Sequence, residues 1–370
     1  MLGLKEKNEI CSNMRNNKSN QMTPELIEAR RKFGRLFSKS KSAAKPDRCL
    51  WCGKKISRFC DSHTIPQMVL KNIDSNGKFD YANTILENPL IKYDQGMAEA
   101  NIFHLLCTDC DNTLFQDYEN LSNLKRSPTD RMLAQIALKN LLLILSKRLL
   151  EIEFFDLINE QMDPFFIQRK QMFNQLDKRD FFLEFDRIRQ MLETDEYNYE
   201  IITYDKVNYK VPIAFQGALT VYGDMNGEMV IDIYDDSASK TIKQMHMCVF
   251  PLDDCSVIFT FYNKTDSEYV NFARQLKSMN QEKRLKFLGY FMFFISEDMM
   301  IAKKFPHRTY FYEQVKKMFR EQYEFWTDSK EEYEGVKAQN LSKFKYWKED
   351  SFPGILTQKY AIKDERTKST

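Results

Sequence analysis

Four of the eight cysteines stand in two pairs whose spacing suits a metal ion. The pairs are Cys49-Leu-Trp-Cys52 and Cys107-Thr-Asp-Cys110. A two-residue spacer folds into a tight turn that directs both sulfurs at one ion, and Gly53 supplies permissive backbone after the first pair. Two such turns complete the closed tetrahedron of a structural site. The sequence therefore predicts structural Zn²⁺ bound by all four of these cysteines.

Two other uses of paired cysteines fit less well. The N-terminus has no apolar stretch followed by a small-residue cleavage site, so we place the protein in the cytoplasm. Thiols stay reduced there, which disfavours disulfides. A thioredoxin-like redox pair would have to open a helix in a βαβ unit, and neither pair has that context.

Positive charge is concentrated at the start of the chain. Residues 1–60 contain 15 Lys and Arg against 5 Asp and Glu, although the whole chain carries a formal charge of only +2. A block of this kind attracts polyanions by releasing their condensed counterions. We therefore predict nucleic-acid contacts around the first cysteine pair, from Arg48, Lys54, Lys55 and Arg58.

The 54 residues between the two pairs include a histidine that precedes a proline. Residues 54–66 read KKISRFCDSHTIP, a strand-like run that ends in a polar cluster and is stopped by Pro66. This pattern places His63 at a strand end. Behind the second pair, Leu114, Phe115 and Tyr118 recur at helical spacing, so the pair is predicted to open a helix.

Two strands that carry a histidine, followed by a helix pinned to them by zinc, resemble the HNH (His-Me finger, ββα-metal) endonucleases of the zinc-stapled type. The resemblance covers about residues 46–120 and rests on Cys49, Cys52, the string Ser62-His63-Thr64-Ile65-Pro66, Cys107, Cys110, Asp111 and Asn112. It implies an α+β fold: a treble-clef-like ββα-metal domain followed by a mostly helical region with a small antiparallel sheet.

The resemblance also implies roles for single residues. His63 takes the position of the general base, and Asn112 and Asn101 those of further catalytic residues. Asn101 would hold the loop that fixes the base, and His104 competes with it for that place. A divalent cation, Mg²⁺ or Mn²⁺, would lie beside the base with Asp111, Asn112 and Asp61 as ligands. Ser62 stands where the family usually has an acid or a histidine.

This assignment agrees with elementary chemistry. A neutral imidazole accepts a proton from water near physiological pH, which a carboxylate or a lysine does only after a large pKa shift. A hard cation prefers oxygen ligands and neutralises charge that develops on a phosphate. Both effects would act on one phosphodiester.

The remainder of the chain has a readable order of elements. A helix is predicted to start at Ser127-Pro128, with the serine as its cap. Strand patterns then extend from about residue 199 to 262, including a hairpin around Asn226-Gly227, and helical periodicity returns from residue 266. The predicted division is a basic arm (1–45), the HNH-like domain (46–125), a helical region (126–198), an antiparallel β region (199–265) and a C-terminal helical region (266–370).

Several functions lack support in the sequence. The chain has no Gly-rich phosphate loop and no dinucleotide fingerprint, so no nucleotide cofactor is expected, and no apolar run is long enough to cross a membrane. The leading hypothesis is a metal-dependent endonuclease that hydrolyses DNA, in the setting of restriction or antiphage defence. Residues 126–370 would recognise substrate, sense a trigger or mediate contacts with protein partners or further copies. Two alternatives stay open, namely a non-catalytic zinc-finger protein that binds nucleic acid and a protein-interaction adaptor.

Overall fold

The N-terminal part, from Pro24 to Leu124, consists of one longer helix followed by short elements joined by loops. The computed structural model describes residues 24–74, 76–81, 95–96, 101–161, 164–233, 235–237, 239–321, 330–345, 347 and 352–363. Residues 1–23 of the predicted basic arm lie outside the described residues. The elements in this part are α1 (Pro24–Ala43), β1 (Ser62–His63), α2 (Gln67–Leu70), β2 (Lys78–Phe79), β3 (Gln95–Gly96), β4 (Ile102–Phe103), α3 (Thr108–Leu114) and α4 (Leu121–Leu124). Strand β1 pairs with β4, and β2 pairs with β3, both antiparallel.

Two long helices and a five-stranded antiparallel sheet follow. The helices are α5 (Asp130–Ile158) and α6 (Pro164–Thr194). The strands are β5 (Tyr199–Val207), β6 (Ile213–Leu219), β7 (Met245–Pro251), β8 (Ser256–Asn263) and β9 (Met300–Ile301), in the spatial order β5-β8-β7-β6-β9. The remaining helices are α7 (Val270–Ser278), α8 (Gln281–Ile295), α9 (Arg308–Glu321) and α10 (Lys330–Lys345). The predicted mixture of helices with a small antiparallel sheet is confirmed.

Both faces of the large sheet are buried. In β7, Cys248 and Phe250 pack toward α5 and α6, whereas Met247 and Val249 pack toward the C-terminal helices. Every residue of β7 and β8 is buried as a result. These strands therefore lack the alternation of apolar and polar residues that marks a sheet with one face in water.

The boundaries of two elements differ from prediction. Helix α5 is capped by Thr129, whose Oγ1 accepts a hydrogen bond from the Met132 amide at 3.3 Å, so Ser127 is not the cap. The predicted strand over residues 228–234 does not form within the described residues, and residue 234 lies outside them. The predicted turn at Asn226-Gly227 does form, and Gly223 pairs with Met229 in one antiparallel bridge. The buried Asp224 carboxylate accepts hydrogen bonds from the amides of Asn226 and Glu228, and these contacts hold the segment as a compact loop instead of a longer ladder.

The N-terminal part is joined to the large sheet through Asp80. Its backbone forms an antiparallel bridge with Ile301 in β9. Its buried carboxylate accepts hydrogen bonds from Arg308 at 2.6 Å and from the Tyr312 hydroxyl at 2.7 Å. Within the described part of the chain, no helix combines the length and the apolar character that a membrane span requires.

Helix α5 meets the sheet through a buried histidine. The His246 ring stacks on Phe261 with centroids 4.7 Å apart, and its Nδ1 lies 3.3 Å from the Asn140 amide nitrogen. Burial, and then the positive charge of Arg187, lower the pKa of His246 to about 3. The folded protein therefore holds this ring neutral.

We predict that His246 makes the fold sensitive to acid. The ring has a pKa of about 6.5 when unfolded, so the unfolded chain binds a proton between that pH and about 3 that the folded chain excludes. The stabilisation is complete above pH 6.5 and declines as pH falls, by up to about 1.4 kcal/mol per pH unit. Urea unfolding of wild type and His246→Phe at several pH values would measure the effect. The difference in unfolding free energy between the two proteins should show this slope.

The comparison of wild type with His246→Phe separates the effect of His246 from that of Glu184, which has the opposite pH dependence. Burial raises the pKa of Glu184 to about 7, so that carboxyl stabilises the fold at low pH and loses its effect as pH rises toward 7. Because Glu184 is present in both proteins, its contribution cancels in the comparison. A difference in unfolding free energy that stays constant from pH 7 to pH 4 would contradict the assignment.

Candidate metal centre and histidine site

The first cysteine pair lies in a tight turn. The Gly53 amide donates to the Cys49 carbonyl at 2.9 Å, and the Cys49 amide donates to the Lys54 carbonyl at 3.0 Å. Gly53 has a φ of +69°, in the left-handed region that glycine adopts without steric cost. The turn thus places the sulfurs of Cys49 and Cys52 on the same side.

The second pair opens α3, as predicted. Cys107 is the residue that caps this helix, and Cys110 lies in its first turn. The Cys107 amide donates to the Cys49 sulfur at 3.3 Å, and the Leu50 amide donates to the Leu105 carbonyl at 2.9 Å. These contacts join the turn to the start of the helix, although the two pairs are 54 residues apart in sequence.

The four sulfurs are arranged to hold a metal ion. They all lie within 4.8 Å of one another, and Cys52 Sγ is 3.8 Å from Cys107 Sγ. In a tetrahedral site with metal–sulfur bonds of about 2.3 Å, neighbouring sulfurs are about 3.8 Å apart. A disulfide would need about 2.05 Å, and all four cysteines are free thiols. The geometry therefore fits a closed four-thiolate metal site.

The surroundings of the thiols bear on how they ionise. A hydrogen bond from the Lys54 backbone lowers the pKa of Cys52 to about 7. Burial, followed by the neighbouring Cys107 thiol, raises the pKa of Cys110. Four thiolates confined to this space repel one another, and a bound cation removes that repulsion.

His63 lies in β1 opposite Ile102 of β4, and its side chain is partly exposed. Its Nδ1 is 3.5 Å from the Gln67 amide nitrogen. Its backbone carbonyl accepts a hydrogen bond from the ammonium of Lys139 at 3.0 Å. The histidine is therefore held from the α5 side through its main chain, while its ring reaches the surface.

Asn101 lies beside the same strand end. It has a φ of +47°, and its carbonyl accepts hydrogen bonds from the Thr64 amide at 3.1 Å and the Thr64 hydroxyl at 3.0 Å. Its side-chain amide donates to the Asp298 carbonyl at 2.7 Å. Asn101 thus fixes the residue that follows His63, and it does so with its main chain.

The three predicted ligands of a divalent cation differ in their exposure and in their partners. Asp61 is 62% exposed, and its carboxylate contacts His104 Nε2 at 2.8 Å. Asn112 is exposed on α3. Only Asp111 turns inward: its Oδ1 lies 3.9 Å from the Lys139 ammonium, and its Oδ2 accepts from the Cys60 thiol at 3.5 Å. Burial, and then the Asp111 charge, raise the pKa of Cys60 to about 11.

Two residues of the site were not among those predicted from sequence. Lys139 forms an ion pair with Glu119, whose carboxylate is about one-third exposed. The available signal was Lys139 itself, since it is the only charged residue between Met132 and Leu145.

A cavity of about 380 Å³ adjoins the other side of β1 and β4. Its lining includes Lys45, Arg58, Asp61 and His104. Arg48, Lys54 and Lys55, which were predicted to contact nucleic acid, are exposed on the neighbouring cysteine turn. The surface around the metal centre is therefore rich in cations that water can reach.

Comparison of the chain with protein-family models, with curated proteins and with solved structures gave no match. The site is accordingly interpreted from its own residues and their geometry.

We predict that the cysteine cluster holds about one tightly bound metal ion per chain, with zinc as the expected element. Cys49→Ser or Cys107→Ser should lose the ion and unfold the N-terminal part, because a site of this kind couples metal binding to folding. Metal analysis by mass spectrometry and circular dichroism would measure both effects. Cys255→Ser, which changes a thiol outside the cluster, is the control. A wild-type protein that is folded and metal-free would contradict the prediction.

Proposed function

We propose that this protein is an HNH-type endonuclease that hydrolyses phosphodiester bonds in DNA. The observation that carries the proposal is the position of His63: a partly exposed imidazole on a paired strand, with Lys139, Glu119 and Asp111 behind it and the second cysteine pair at the start of the following helix. A histidine on a strand pair and a helix that begins at a cysteine pair support the proposal of a ββα-metal domain. The choice of DNA over RNA, and the setting in restriction or antiphage defence, rest on the resemblance and stay predictions.

Zinc is the metal we propose for the cysteine cluster. Four thiolates in a tetrahedron favour Zn²⁺, and a site without an open position serves folding instead of catalysis. Its role here would be to hold the Cys49 turn against α3. That in turn fixes β1 and β4, which lie between the two pairs in sequence.

In the proposed reaction, neutral His63 accepts a proton from a water molecule. The water oxygen forms a bond to phosphorus while the bond from phosphorus to the 3′ oxygen breaks, which leaves a 5′-phosphate and a 3′-hydroxyl. Exposed cations near the cysteine turn would hold the flanking phosphates. Mg²⁺ or Mn²⁺ beside His63 stays a prediction. Of its predicted ligands, Asp61 and Asn112 are exposed, whereas Asp111 faces the Lys139 ammonium. We assign no step to that ion.

A second function is favoured by one observation. Asp61 has the carboxylate closest in sequence to His63, and it contacts His104. This carboxylate is therefore not directed at a cation beside His63. A non-catalytic zinc module that binds nucleic acid through its basic surface would tolerate this arrangement.

We predict that His63→Ala abolishes cleavage. Loss of a general base typically lowers the rate by about 10² to 10⁴-fold. Plasmid nicking by wild type and variant, with Mg²⁺ or Mn²⁺ and with EDTA as a further condition, would measure the effect. His307→Asn changes an exposed histidine with a φ of +58°, which asparagine tolerates, and is the matched control. Equal cleavage by wild type and His63→Ala would refute His63 as the base.

We also predict that DNA binding depends on the cysteine-turn cations. The double variant Lys54→Ala/Lys55→Ala should reduce the slope of log K against log salt concentration by about 2 for duplex DNA, since each lost phosphate contact changes it by about 0.9. Fluorescence anisotropy across a salt series provides the measurement. Lys264→Ala/Arg274→Ala removes two exposed charges that lie outside the predicted nucleic-acid contacts and should leave the slope unchanged. Identical slopes for both double variants would argue against this surface.

A further inference from the structure

Lys139 is buried, and a buried lysine is unfavourable unless other groups compensate its charge. Its side chain is 2% exposed, and it lies in the middle of α5 among apolar neighbours. An ammonium removed from water costs several kcal/mol unless charged and polar groups compensate it. The identity of those groups indicates what the lysine does.

The compensating groups are mainly oxygens that come from the N-terminal part. The ammonium donates to the Glu119 carboxylate and to the His63 carbonyl, and it lies 3.9 Å from Asp111 Oδ1. The Phe115 ring closes one side, with its centroid 4.4 Å from Nζ. Two carboxylates and a carbonyl around a single positive charge are the surroundings that a hard metal cation prefers.

The Lys139 ammonium already occupies the place between the Asp111 and Glu119 carboxylates and the His63 carbonyl, which we call the cation seat. Within the described residues, Asp111 Oδ1 is buried and accepts no hydrogen bond, so its nearest compensation is the Lys139 charge. A divalent cation bound at Asp111 would face an ammonium across about 4 Å in surroundings that screen charge poorly. Such repulsion disfavours a metal ion there as long as the lysine is present.

The same contact fixes His63. The Lys139 ammonium donates a hydrogen bond to the His63 carbonyl. The amide and the hydroxyl of the next residue, Thr64, both donate to the Asn101 carbonyl. Both contacts therefore restrain the peptide group that joins His63 to Thr64, the first through its carbonyl and the second through its amide. A restrained main chain limits the positions that the imidazole can adopt.

We propose that Lys139 is a fixed cation of this site: its ammonium fills the seat between Asp111, Glu119 and the His63 carbonyl, excludes a divalent cation from Asp111, and positions the His63 ring. The cation seat is argued from contacts alone, whereas its use in catalysis rests on the function proposed above. Lys139 does not reach the surface, so it acts through His63 as a positioning residue.

The test of the seat uses Mn²⁺ as the probe and needs no enzymatic activity. Electron paramagnetic resonance would count bound Mn²⁺ in wild type, Asp111→Asn, Lys139→Ala and Lys139→Ala/Asp111→Asn, all loaded with zinc. We expect wild type and Asp111→Asn to bind equally. Lys139→Ala should gain about one site, which the double variant loses, since the vacated seat leaves two carboxylates facing each other.

Two results would overturn the proposal. One is a Mn²⁺ site in wild type that Asp111→Asn removes, because the ammonium would then not exclude the metal. The other is a folded Lys139→Ala protein without a new site. If Lys139→Ala does not fold, Lys139→Met keeps most of the length without the charge and takes its place. The comparison of wild type with Asp111→Asn stands in either case.

The positioning role has its own signature. The chain has four histidines, so the ring Cε1 signals in a proton–carbon NMR spectrum are few enough to assign by substitution. Lys139→Met should shift or broaden the His63 signal and leave that of His104 unchanged. An unchanged His63 signal would refute positioning. If His63→Ala cleaves as wild type does while these binding and NMR results hold, the proposed enzymatic function fails and the fixed cation stands.

Discussion

The burial of α5 on all sides between Met132 and Leu143 is the constraint on which the arrangement of this protein depends. A helix surrounded by protein must pair every polar side chain that it carries, because an unpaired polar group away from water costs about 1–3 kcal/mol. Gln135 meets this requirement with the Tyr118 amide and the Asp117 carboxylate. Asn140 meets it in part: its amide nitrogen lies 3.3 Å from His246 Nδ1, whereas its Oδ1 has no hydrogen-bond partner within the described residues. Lys139, between them, meets it with His63 and Glu119. The helix thereby fixes the position of the cysteine-bearing part relative to the large sheet.

The cysteine cluster solves a different problem. The elements between residues 46 and 125 are short, and the strands β1 and β4 have two residues each. Elements of this size bury too little apolar surface to hold themselves in place, and a metal ion is a common remedy. The Trp51 ring adds a contact outside the cluster: it packs edge-on to Phe185 of α6 with centroids 6.2 Å apart, and Arg189 lies over it. A metal ion bound by the sulfurs would hold this part internally, and α5 and α6 hold it externally.

The buried helix α5 and the cysteine cluster both bear on the position of His63. The cysteine turn and α3 determine where the strand pair lies, and α5 determines how its end is held. A catalytic or binding residue supported by packing and by hydrogen bonds to its neighbours keeps its geometry better than one on an unsupported loop. The histidine is therefore presented by a rigid frame although its own secondary structure is minimal.

The sequence alone determined the features that depend on local spacing. The cysteine pairs, the helix that opens at Cys107, strands β5 to β8 and the flanking helices lie where short-range patterns predict such elements. Strand β9 lies in the region predicted to be helical, and only the tertiary structure adds it to the sheet. The partners of the site residues were decided by the tertiary structure. Lys139 is 76 residues from His63, and Asp61 is 43 residues from His104. No periodicity links such residues, because they meet only when α5 docks and β1 pairs with β4. The loop at Asp224 replaced a predicted strand for the same reason, since its carboxylate also binds Asn271 and Gln275, from a helix that follows later in the chain.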